Sequence, residues 1–78
     1  MEIYKTDTMA IKKRMIEKGI KTITELSDIT GVNRNTLSKV LSGKSQPSSD
    51  VMEKLVYNLD FTPQEAGPIF FKLDLRRA

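Results

Sequence analysis

Apolar residues along this 78-residue chain recur mostly at helical spacing. Ile11, Met15 and Ile16 mark the inward side of a first helix, with Thr6 or Asp7 as its N-cap and Gly19 in the left-handed position after its end. Thr22-Ile23-Thr24-Glu25 has the spacing of a capping box and opens a second helix over 23–30, with Leu26 and Ile29 inward and an end near Gly31. Asn33 caps a third, over 34–42, in which Leu37, Val40 and Leu41 share a side and Gly43 marks the stop. Pro47 with Ser48 or Ser49 begins a fourth, carrying Met52, Leu55, Val56 and Leu59, with Phe61 closing its end. Thr62-Pro63-Gln64-Glu65 then combines an N-cap, a proline suited to the first helical position and a capping-box glutamate, so a fifth helix follows.

The end of that fifth helix has two readings. Ala66, Ile69, Phe70 and Leu73 continue a helical stripe across Gly67-Pro68, a pair that breaks most helix interiors. Alternatively, Phe71, Leu73 and Leu75 alternate with Lys72, Asp74 and Arg76 as in a strand, which Glu2-Ile3-Tyr4-Lys5 could pair with. The helical reading is favoured. The expected fold is therefore all-α: one domain over 1–78, a compact bundle of about five short helices, with terminal strand pairing as the alternative for its ends.

Composition narrows the chemistry more than the fold. The chain has neither Cys nor His, which excludes disulfides, thiolate or imidazole metal sites, thiol nucleophiles and imidazole-based triads. Its carboxylates lie on separate predicted helices, so an enzyme is the least expected class, and no cofactor, metal or small-molecule ligand is expected. No segment resembles a secretory leader or approaches the roughly 20 apolar residues of a membrane span, and a cytoplasmic location is expected.

The net charge of +3 is mild, but its distribution is uneven. Residues 1–49 hold nine Lys/Arg against five Asp/Glu, whereas residues 50–78 hold four against five. Between Asp28 and Asp50 there is no acidic side chain. Lys12, Lys13 and Arg14 read as a solvated helix face that adds only diffuse attraction for a polyanion. Around the third helix the bias has a sharper meaning.

Two short helices joined by a tight Gly-containing turn form a helix-turn-helix. A helix entering the major groove cannot present carboxylates to the flanking phosphates, and the outer side of the third helix presents only amides, hydroxyls and cations. Its first turn offers Asn33, Arg34 and Asn35, and Ser38 and Lys39 follow one turn later. Arg forks onto guanine O6 and N7, Asn onto adenine N6 and N7, and Lys reaches guanine acceptors. These five are the candidate base-contacting residues.

The segment from Thr22 to Thr62 resembles the Cro and lambda-repressor-like family of helix-turn-helix domains, on Glu25-Leu26-Ser27, Gly31-Val32, Thr36-Leu37-Ser38, Gly43-Lys44, Pro47-Ser48 and Leu59-Asp60-Phe61. The resemblance covers about residues 8–66 and implies that the third helix reads double-stranded DNA. It also implies phosphate contacts from Ser42, Lys44 and Ser45 after that helix, and from Lys21 and Thr22 before the second. Ile23 stands where many members carry a glutamine that braces a recognition side chain, a role left to Thr22 or Thr24.

Phe70, Phe71, Leu73 and Leu75 exceed what so small a core can absorb, so residues 66–75 are expected to form a homodimer interface. A dimer would set two recognition helices about 34 Å apart against a pseudo-palindromic operator. The expected function is that of a small transcriptional regulator, a phage- or prophage-type Cro-like repressor, since the chain leaves no room for a sensing domain. Two alternatives use the same residues differently: an antitoxin whose tail covers a toxin, and a protein-interaction module that has lost DNA affinity.

Overall fold

A computed structural model of the chain describes residues 4–73. The elements run β1 (Tyr4–Lys5), α1 (Thr8–Glu17), α2 (Ile23–Thr30), α3 (Arg34–Leu41), α4 (Ser49–Asn58), α5 (Pro63–Phe70) and β2 (Lys72–Leu73). Five helices surround one core, and β1 and β2 pair antiparallel, with Tyr4 opposite Leu73 and Lys5 opposite Lys72. The fold is an all-α bundle tied by a two-stranded ribbon.

Each helix starts where a short polar side chain satisfies an orphan backbone N–H. Asp7, Thr22, Asn33, Ser48 and Thr62 accept from the amides of Ala10, Glu25, Asn35, Val51 and Glu65. At α5 the box is reciprocal, since the Glu65 carboxylate accepts from the Thr62 N–H at 2.9 Å. At α2 it is shifted by one residue: Glu25 accepts from the Lys21 N–H and from the Thr22 hydroxyl, both at 3.3 Å.

Ile11, Leu26, Leu37, Leu55, Leu59 and Phe70 lie at the centre of the core, joined at its edge by Met15, Ile20, Val32, Leu41 and Phe61. Two residues expected there are outside it. Ile16 is 77% exposed, because Ile11 and Met15 already define the buried line of α1 and Ile16 lies about 100° around the helix from Met15. Ile29 is also exposed, and Thr30, one turn from Leu26, takes the inward place. The Thr30 hydroxyl donates to the Leu26 carbonyl at 2.7 Å, so its burial leaves no polar atom without a partner.

The two readings of the C-terminal segment each hold for part of it. α5 continues through Pro68 to Phe70, and the strand begins two residues later. Proline removes one backbone donor from α5, but Gln64, whose carbonyl it leaves unpaired, is exposed and reaches water. Residues 74–78, and with them Leu75 and the strand reading of 74–76, lie outside the described residues.

Arg14 is not a solvated cation. Its guanidinium donates to the carbonyls of Leu59 (2.8 Å) and Asp60 (3.0 Å) at the end of α4, pairs with Glu65 at 2.7 Å and Glu17 at 3.1 Å, and lies 4.7 Å from the centre of the Phe61 ring. Beside it, Asp60 adopts a φ of 55° and pairs with Lys18. The Lys18 ammonium holds the Asp60 carboxyl below the usual range, and the Thr62 N–H, with help from Arg14, does the same for Glu65. Carboxyls that bind protons less readily when folded stabilise the fold above the ordinary carboxylate range, and that contribution is lost as pH falls through their lowered values. Removing the donors but keeping the stem, Arg14→Leu should cost about 2 kcal/mol and lower the melting temperature by roughly 8–16 °C at neutral pH. The deficit should shrink in strongly acidic solution, as pH falls through those lowered values. Thermal melts at the two pH values test both parts, with Lys13→Ala as the control expected to melt like the parent.

Candidate nucleic-acid interface

The turn between α2 and α3 is held by its own polar groups. Gly31 adopts a φ of 76°, the left-handed conformation that lets the chain reverse after α2. Ser27 donates its hydroxyl to the Val32 carbonyl at 2.6 Å, and Thr30 accepts the Val32 N–H at 3.2 Å. Val32 itself is buried, so the turn is fixed by both hydrogen bonds and packing. α3 leaves that turn with Leu37, Val40 and Leu41 buried and Arg34, Asn35, Thr36, Ser38 and Lys39 exposed. Leu41 is therefore a core residue.

Helical geometry orders the exposed side. Directly opposite the buried line lie Asn35, Lys39 and Ser42, with Ser38 beside them, while Arg34 and Thr36 flank the stripe. Asn33, by contrast, uses its side-chain oxygen to accept the Asn35 N–H at 2.7 Å. A forked contact with adenine needs both the amide oxygen and the amide nitrogen. The cap turns the Asn33 oxygen towards the helix and away from a forked approach, whereas the Asn35 side chain makes no hydrogen bond within the described residues. Thr36 was not among the sequence candidates, and its exposure adds a hydroxyl and a methyl group of the kind that meets thymine. Its place one residue before the core Leu37 gave that signal.

The expected phosphate contacts separate in the same way. After α3 the backbone folds back, with the N–H groups of Lys44 (2.9 Å) and Ser45 (3.2 Å) and the Ser42 hydroxyl (3.1 Å) all donating to the Lys39 carbonyl. A phosphate oxygen can only accept, so Ser42 would have to rotate its one hydroxyl proton away from Lys39 to meet it. The Lys44 and Ser45 side chains are exposed and make no hydrogen bond among the described residues. Before α2, the Thr22 hydroxyl is bound to Glu25, while the Lys21 ammonium is exposed. Neither Thr22 nor Thr24 hydrogen-bonds to α3, and Ile23 packs half-buried against the core, so no described side chain of that segment takes over the bracing role of a glutamine there.

Ion pairing is uneven among the cations. Arg14, Lys18, Lys54 and Lys72 each pair with a carboxylate, on α1, α4 and the ribbon. Among the described residues, all four cations from Lys21 to Lys44 (Lys21, Arg34, Lys39 and Lys44) pair with none, as do Lys5, Lys12 and Lys13. Positive charge in the helix-turn-helix segment is thus available to a polyanion, while much of that elsewhere is neutralised within the fold. No group of three or more described acidic side chains comes together to hold a metal ion, and no described helix is long and apolar enough to cross a membrane.

A family model described as a Cro/C1-type HTH DNA-binding domain matches residues 10–66. The chain belongs to that family. α2 and α3 are accordingly its helix-turn-helix, and the domain binds DNA. None of the curated proteins and none of the solved structures compared with the chain matches it.

Proposed function

We propose that the chain is a transcriptional repressor of the phage or prophage type, which binds an operator near a promoter and excludes polymerase. The observation that carries this reading is the outer side of α3, where Arg34, Asn35, Ser38 and Lys39 are exposed with no carboxylate paired to them. Arg34, Asn35 and Lys39 are the base readers, Ser38 lines the groove, and Asn33 acts first as the cap and second as a donor to DNA. Lys44, Ser45 and Lys21 supply phosphate contacts, and Ser42 and Thr22 do so only by giving up bonds within the protein.

The repressor acts as a homodimer through the ribbon and the cleft between α4 and α5. Phe70, one of the four expected interface residues, is turned into the core, so the surface is carried by Phe71 and Leu73, with Tyr4 and Tyr57 added by the fold. Tyr4 and Phe71 meet edge to face with ring centres 6.5 Å apart, beside an open apolar cleft of about 800 Å³ lined by Met52, Val56, Tyr57 and Phe61. A second copy is the occupant that suits such a patch, because a twofold axis sets one apolar patch against its own copy and buries both.

The test is anisotropy binding to duplexes tiled across the DNA flanking the gene, with mixed-sequence competitor, joined to light scattering with and without the best tile. Tight binding to one or two near-palindromic tiles, by a dimer that Phe71→Lys converts to a weaker-binding monomer, is the expected result. Weak, tile-independent binding would refute operator recognition. A monomer that stays one per half-site on the best tile would refute the dimer.

A further inference from the structure

The loop from Ser42 to Ser48 is anchored at both of its ends, by the Lys39 carbonyl on the α3 side and by the buried Pro47 on the α4 side. A third anchor is more remote. The Gln46 side chain accepts the Thr6 hydroxyl at 2.9 Å through Oε1 and donates through Nε2 to the Phe70 carbonyl. Thr6 is buried just after β1, and Phe70 is the last residue of α5. The neighbouring Asp7 N–H donates to the Ile69 carbonyl at 2.6 Å, so two end carbonyls of α5 take donors from distant parts of the chain. One amide thereby joins the α3–α4 loop, the base of the ribbon and the end of α5.

We propose that Gln46 is a positioning residue for DNA binding: by tying the loop to the ribbon base, its amide sets where Lys44 and Ser45 meet the phosphate backbone. The inference rests on the reading above that this loop contacts phosphates. An apolar side chain at 46 would release the loop from the ribbon and leave the Thr6 hydroxyl and the Phe70 carbonyl without their partner. Lys44 would keep its charge but lose its fixed approach, and contacts of that kind act on all sequences alike.

The experiment measures affinity for a fluorescein-labelled duplex of mixed sequence across a salt series, at a temperature well below the melting point of every variant. Gln46→Leu should bind about three- to tenfold more weakly, with the dependence of log K on log salt reduced by about one contact, as in Lys44→Ala. Thr6→Val should move both quantities in the same direction, Thr6→Ser should restore them, and the Thr6→Val/Gln46→Leu pair should be no weaker than Gln46→Leu alone. A Gln46→Leu protein that melts lower but keeps the parental salt dependence would show a merely structural role and overturn the inference. Should Gln46→Leu not fold, the contrast between Thr6→Val and Thr6→Ser decides, and equal salt dependence in those two overturns it. If Lys44→Ala alone leaves the salt dependence unchanged, the loop does not meet phosphates and the underlying reading fails as well. If Lys44→Ala reduces it and the other variants do not, only the role of Gln46 is refuted.

Discussion

Replacing both Arg34 and Asn35 by alanine is expected to weaken binding to the cognate duplex by roughly 30-fold to 2 × 10⁴-fold while leaving the fold intact. Each side chain is exposed in the first turn of α3 and makes no hydrogen bond among the described residues, so neither supports the bundle. The bond that caps α3 runs from the backbone N–H of Asn35 to Asn33 and survives the substitution. A forked contact to a base edge is worth about 1–3 kcal/mol, and two such contacts on neighbouring bases lose about 2–6 kcal/mol together. Binding to mixed-sequence DNA should change far less, because Lys21 and Lys44, the proposed phosphate contacts, are left in place. Titration of both duplexes by anisotropy tests the difference, and an equal loss on the two would mean that these side chains do not read bases.

Phe70→Ala should remove about 3–5 kcal/mol of folding stability, against the roughly 4–12 kcal/mol expected for a domain of this size. Phe70 is only 2% exposed and belongs to the same core cluster as Ile11, Leu26 and Leu55, so its loss opens a cavity where α5 meets the rest of the bundle. Its neighbour tests the assignment of faces. Phe71 is 55% exposed, and at concentrations where the chain is monomeric Phe71→Ala should cost only about 1 kcal/mol, the edge contact with Tyr4. Urea unfolding of the two variants measures both values. Comparable destabilisation would show that the apolar surface credited to Phe71 is part of the core.

What the sequence disclosed and what it concealed have different physical origins. Helix starts were legible because a cap is a local device: Asp7, Thr22, Asn33, Ser48 and Thr62 need only the next two or three residues to act. The exposed side of α3 was legible for a related reason, since Leu37, Val40 and Leu41 set the buried side and leave Asn35, Ser38 and Lys39 outside. Burial at helix margins was not. Ile16 and Ile29 are apolar enough for a core, and only the actual neighbours decide that Met15 and Thr30 occupy it instead. Arg14 was read as a surface charge because its acceptors lie 45, 46 and 51 residues away. The role of Gln46 was hidden in the same manner, its partners being 40 and 24 residues distant.

Tyr4 and Leu73 stand opposite each other on paired antiparallel strands, which brings the first and last described residues to within about one strand spacing. The bundle is in this sense a ring. A permuted gene that joined the strands by a short turn and opened the chain at the exposed Gly19, between α1 and α2, would retain every helix and all the faces they bury. The order in which the helices are synthesised is therefore separable from the surfaces that hold them together.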